Sequence, residues 1–306
     1  MMITETHSWV DEGDELRQGD IIRIIHPEAD VKPFRLGVII NADCDIANNK
    51  TDGVIAFLPV YTFEDYLIEF WLPQFIGRKK RELIGQIQDL SSKWSDQNRI
   101  IESDLTEWLS DSTTEQMVDV IERLTAALNC PEKKSSDLKI ILQKLHTLLK
   151  SEQQKSLEVV WKILSDSFFK QGTGSESEDK RKQRNDKEKT AVEKQFQEAQ
   201  DNMGNDHLFI NEIPGQNELG FVVRMRRIYS LDQKSCFRSG IAIKIAGMSP
   251  KALSALRFAR LSPHYKFKLA QLFAYQYSRI GLPEENSKFS KTIVEHICST
   301  LMVDWQ

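Results

Sequence analysis

Cysteine is scarce and scattered. The 306-residue chain holds four, Cys44, Cys130, Cys236 and Cys298, with no C-x-x-C pair and no histidine at metal-ligand spacing. That argues against a disulfide framework and a thiolate metal site, and predicts four reduced thiols. No segment approaches the ~18 apolar residues of a membrane-spanning helix. The start, MMITETHSWVDEGDELRQGD, lacks the basic and apolar runs of a signal peptide. Charge of one sign is not in excess either: 41 Lys and Arg against 45 Asp and Glu give a net charge of -4. Nucleic acid would therefore have to be met by a local basic patch. These absences predict a soluble cytoplasmic protein with no membrane partner, no metal and no cofactor.

What is present is the makeup of a globular chain, 40% hydrophobic and 28% charged, long enough to bury one large core or two ordinary ones. Residues 1–18 read as a polar arm. Residues 19–63 hold three strands, GDIIRIIHP and then Leu36 to Asn41 and Gly53 to Val60, the last two joined by a polar corner of Asp43, Cys44 and Asp45. Residues 64–170 change to helical spacing. Met117, Val118, Ile121, Leu124 and Leu128 form one apolar stripe, and Leu138, Ile141, Leu142, Leu145 and Leu149 another, with His146 read as a surface or boundary residue. Residues 171–205 are rich in Gly, Ser and both signs of charge, and predict a flexible tether.

Strand patterns return over 206–248 in HLFINEIP, LGFVVRMRRIYSLD and GIAIKIAG, the middle one with Arg224 and Arg226 on one face. Residues 249–306 read as helices. Ser249-Pro250 and Ser262-Pro263 are cap-and-first-turn signals, which put Arg257, Arg260 and Arg279 on helices, and KFSKTIVEHICSTLMV closes the chain as an amphipathic helix. Neither strand set is complete alone, since each would leave two open edges. The economical fold is α+β: one small antiparallel barrel built from both ends of the chain, with the helical region inserted in a loop.

The barrel segments carry a resemblance. Gly19-Asp20-Ile21-Ile22, then Phe34-Arg35-Leu36-Gly37-Val38-Ile39-Ile40-Asn41-Ala42-Asp43, then Gly53-Val54-Ile55-Ala56-Phe57-Leu58-Pro59-Val60 resemble the SH3-like barrel of the MazF/PemK toxin family. RMRRIYSLD, followed by a helix that opens LSPHYKFKLAQLF, is similar to that family's last long strand and C-terminal helix. The C-D-I and R-I-G-L-P fragments also look like uncharacterised bacterial proteins with such a barrel. The resemblance implies a bacterial source and sequence-selective cleavage of single-stranded RNA, in which an arginine and a threonine act on the scissile phosphate. The arginine position is Arg35. The threonine position falls on Tyr61, with Thr62 one step later, and a one-residue step in a strand turns a side chain to the opposite face. Leu36 stands where the family has a proline, and HPEADVKP lacks its glycine-rich loop.

Read without the resemblance, Cys44 beside Asp45 is a buried thiol with a turn hydrogen bond, because an adjacent carboxylate disfavours the nucleophilic thiolate. Asp43, Asp45 and Asp52 lack the glutamate or loop motif of a magnesium site. Arg35, Arg224 and Arg226, with Tyr61, have the chemistry of a phosphate-binding and stacking surface, and equally that of arginines paired with the acidic helices. The helices themselves, with Trp94, Trp108 and Trp161, offer either core packing or an anchor for a protein partner. The leading expectation is a non-catalytic regulatory or accessory protein that binds a protein partner through the inserted helices, in the stress-response or phage-defence setting the family suggests. The alternative is an endoribonuclease using Arg35 and Thr62, with Arg224 and Arg226 holding phosphate. Homodimer formation is left open.

Overall fold

A computed structural model describes residues 7–11, 13–25, 34–90, 102–111, 116–127, 132–152, 155–164, 178–218, 220–246 and 253–278. The chain divides into two compact units. One draws on Met1–Val60, Gly204–Asn217 and Val223–Gln306, the other on Tyr61–Met203 and Glu218–Val222. The class is α+β, as the alternation of strand and helix patterns predicts.

The first unit carries most of a nine-stranded sheet. Its strands are β1 (His7–Trp9), β2 (Asp20–Ile25), β3 (Leu36–Ile39), β4 (Val54–Thr62), β5 (His207–Ile210), β6 (Phe221–Arg224), β7 (Tyr229–Asp232), β8 (Cys236–Phe237) and β9 (Ser254–Leu261). They lie in the order β1-β9-β2-β3-β4-β6-β5, with β7 also pairing β4 and β8 also pairing β9. β9 pairs antiparallel with β1 and β2, β3 with β2 and β4, and β4 with β7, whereas β8 lies parallel to β9. Among the described residues the path ends at β1 and β5 without closing.

β2 and β3 hold the middle because Ile21, Ile22, Val38 and Ile39 are fully buried, a pattern only an interior strand tolerates. Gly37 is required by Phe57 on the neighbouring strand, since a Cβ there would lie 2.6 Å from the Phe57 ring. Phe57 in turn stacks on Tyr229, with ring centres 5.8 Å apart, which fastens β7 to β4. The polar corner contains a short helix, α1 (Asp43–Ala47), and returns to β4 through left-handed Asn49 and Asp52 and Gly53 at φ 75°.

The far end of the chain departs from its sequence pattern in three places. GIAIKIAG is a helix over Gly240–Ala246 rather than a strand; its first turn is held by the Ser239 hydroxyl, which accepts from the Ala242 amide at 3.1 Å. In so short a run the Ile241 and Ile245 spacing satisfies either period. The segment after Ser249-Pro250 is not a helix where it is described. It is β9, because SALRFARL alternates buried and half-buried side chains and fills the slot beside β2. LGFVVRMRRIYSLD is not one strand: β6 stops at Arg224, a turn takes Met225 and Arg226, and β7 begins at Tyr229. The Ser262-Pro263 helix is present as Pro263–Tyr277, packed on β5 and β9 through buried Leu269. The expected closing helix, Arg279 and Cys298 lie outside the described residues.

The second unit is helical. In chain order after α1 come α2 (Phe63–Tyr66), a π-helical turn (Leu67–Trp71), α3 (Leu72–Leu90), α4 (Glu102–Asp111), α5 (Met117–Ala127), α6 (Glu132–Glu152), α7 (Glu158–Leu164) and α8 (Glu178–Asp201). The helices over Gly240–Ala246 and Pro263–Tyr277 are then α9 and α10. One core joins Phe75, Ile84 and Ile87 of α3 to Leu105 and Leu109, Ile121 and Leu124, Leu138, Leu142 and Leu145, and Val160.

Four expectations are corrected here. Val118 is exposed although it sits in the predicted stripe, His146 is buried, and Trp108 and Trp161 are exposed rather than core. The predicted tether is α8 from Glu178 onward. Its Val192 and Phe196 pack on the core, and Lys189–Glu193 and Lys194–Glu198 are ion pairs one turn apart. Trp94 and Cys130 lie outside the described residues.

Candidate functional site

At the positions carried over from the toxin family, Thr62 and Tyr61 have structural duties. Thr62 caps α2: its hydroxyl accepts from the Asp65 amide at 3.0 Å and donates to the Asp65 carboxylate at 2.8 Å. Tyr61 is buried, with its ring edge-on to Phe70 at 5.0 Å, so it offers no open face for a base to stack on. Arg35 is exposed in the bend before β3. Arg224 is half-buried at the end of β6, and Arg226 in the following turn forms a charge-assisted hydrogen bond with Asp206. The adjacent His207 lies with Nδ1 2.9 Å from Asp206. Burial pushes the His207 pKa down, and the Asp206 carboxylate only partly opposes it. Asp206 itself is held below the usual carboxylate range: burial works against its charge, but His207 and Arg226 outweigh it.

The polar corner is also different from its sequence reading. Cys44 is exposed on α1 rather than buried, and its Sγ lies 3.7 Å from the Asp45 carboxylate. Among the described residues no cluster of His, Cys, Asp and Glu fits a metal ion. Asp43 faces the N-terminal arm and α10, accepting from the Gln18 amide at 2.7 Å and from Lys266 at 2.9 Å. Burial alone would raise its pKa, but Lys266 and Gln18 hold it below the usual value.

Beside that pairing is a buried charged network. Asp20, at the start of β2, is fully buried; it accepts from Arg260 Nε at 2.5 Å and from the Arg17 amide at 2.8 Å, with Arg257 at 3.7 Å. Arg257 lies on the buried face of β9, 2% exposed, and donates to the carbonyl oxygens of Glu15 and Asp11, both at 2.8 Å. Burial raises the Asp20 pKa against the pull of both arginines, and raises the Cys236 thiol, with help from Asp20, to about 12. Cys236 is therefore an inert thiol at neutral pH. In front of this network is a cavity of about 360 Å³ lined by Arg17, Gln18, Arg260, Ser262 and Lys266 among others.

Arg260 and Lys266 are already engaged by Asp20 and Asp43, so the network's evident work is to tie Glu15 and Asp20 to β9 and Asp43 to α10. Asp20 was visible in the sequence only as a residue of the GDIIRIIHP strand, and Arg257 only as a helical residue. A period-2 reading of Ala255, Arg257, Ala259 and Leu261 would have shown one arginine on an otherwise apolar face. Comparison with family models, with curated proteins and with solved structures gives no match for this chain.

Proposed function

We propose that this chain is a non-catalytic accessory protein built on a MazF/PemK-like, SH3-like barrel scaffold, and that its helical unit binds a protein partner. The observation that carries the first half is Thr62. A hydroxyl that caps α2 and is hydrogen-bonded to Asp65 on both counts is committed to structure, and Tyr61, at the motif's own threonine position, is buried. The antiparallel run β2-β3-β4, joined on its edges by β9 and by β6 and β7 from the far end of the chain, supports the scaffold reading.

Partner binding is supported by large apolar side chains that the helical unit leaves in water: Trp108 at 49% exposure, Val118 at 56% and Trp161 at 37%. Trp is the residue type most often found as an interface anchor. The experiment is affinity capture from the source cell with wild type and with Trp108→Ser/Trp161→Ser. The expected result is one stoichiometric protein retained by wild type and lost by the variant. Equal recovery by both overturns the assignment of the surface, and no stoichiometric partner overturns the binding reading. The ribonuclease alternative rests on exposed Arg35 and makes the opposite prediction for RNA, taken up below.

A further inference from the structure

The helical unit contains a cavity of about 480 Å³ between the π-helical turn with α3 on one side and the C-terminal half of α8 on the other. Its lining is chemically sorted. Half-buried Trp71 supplies the aromatic surface, backed by buried Tyr66 and by buried Phe75, on which it stacks at 4.9 Å and 25°. Arg78 and Arg81, one turn apart on α3, supply positive charge. Gln195, Glu198 and Asn202, at three- and four-residue spacing on α8, supply hydrogen-bonding groups from the opposite wall. Arg78 bridges the walls by donating to Gln195 Oε1 at 3.1 Å, and Gln195 donates to Glu198 at 3.2 Å. Arg81 is exposed, with its Nε on the Gly77 carbonyl oxygen at 3.3 Å.

The π-helical turn is the second, independent observation. In a regular α-helix two residues five apart point about 140° from each other, so Tyr66 and Trp71 could not line one cavity. Widening the turn over Leu67–Trp71 puts both on the same side. Such turns are rare in helices and gather at functional sites.

We infer that this cavity binds a small planar anion of the nucleoside monophosphate class. The ring would lie against the aromatic wall, the phosphate would meet Arg81 and Arg78, and the ring's polar edge would face Gln195, Glu198 and Asn202. The volume falls in the range of small-ligand sites. Guanidinium groups bind phosphate in forked geometry, and a base adds stacking on the aromatic wall. The inference goes beyond the proposed accessory role and does not depend on it.

The test is isothermal titration of the full chain with AMP, GMP, CMP and UMP, each compared with its nucleoside and with ribose 5-phosphate. At least one nucleotide binds with a Kd below about 1 mM. Its nucleoside and ribose 5-phosphate bind at least about tenfold more weakly. Arg81→Gln, at an exposed position, lowers the nucleotide affinity at least about tenfold with an unchanged Tm. Should that variant not fold, Asn202→Leu asks the same question from the opposite wall. No binding by any of the four nucleotides, equal binding of ribose 5-phosphate, or wild-type affinity in the folded variant overturns the assignment.

Discussion

Asp20 and Arg257 show how much a single pair of residues can decide. Removing the acid leaves two arginines beside an apolar strand face, one of them 2% exposed. An uncompensated buried charge costs about 3–5 kcal/mol. Asp20→Ala should therefore lose about that much in chemical denaturation, and Asp20→Ala/Arg257→Met should recover part of it. His207 supplies the pH dependence. Its pKa is lowered in the folded protein, chiefly by burial, so folding favours the neutral ring. The stabilising contribution is complete above the unfolded value of about 6.5. It is lost as pH falls from there through the lowered folded value. Thermal melts between pH 7.5 and about 5 should show Tm declining, and His207→Asn should decline less; equal slopes would remove His207 from the account.

Among the elements, those with unambiguous periodicity were legible and the short or doubly patterned ones were not. Leu36 to Asn41 and Gly53 to Val60 are apolar runs bounded by turn residues, and they appear as β3 and β4 almost where expected. The Ser262-Pro263 cap gave α10. The same signal thirteen residues earlier is followed from Ser254 by a strand, because β2 needs a partner there.

The charged segment over 178–201 was misread for the opposite reason. Composition alone predicts disorder, yet Val192 and Phe196 give it one face to bury and its Glu and Lys residues support a helix. Lys189→Pro, at an exposed mid-helix position, tests that element. It should cost about 3 kcal/mol and reduce the far-ultraviolet helical signal. A tether would register neither change.

At the scale of the whole molecule, the chain holds two compact units, one carrying most of a mostly antiparallel sheet that is open among the described residues and one helical with its own core. The candidate site was less legible than the fold. Arg35 kept the exposure its motif position suggests, whereas Thr62, Tyr61 and Arg226 were drawn into a cap, a core and an ion pair that no strand pattern could reveal. The non-catalytic reading stands or falls on activity. The most direct measurement is incubation of mixed-sequence single-stranded RNA with a large excess of the purified 306-residue chain, wild type beside Arg35→Ala, resolved by denaturing electrophoresis. The account predicts intact RNA in both lanes; cleavage by wild type that disappears in Arg35→Ala would contradict it.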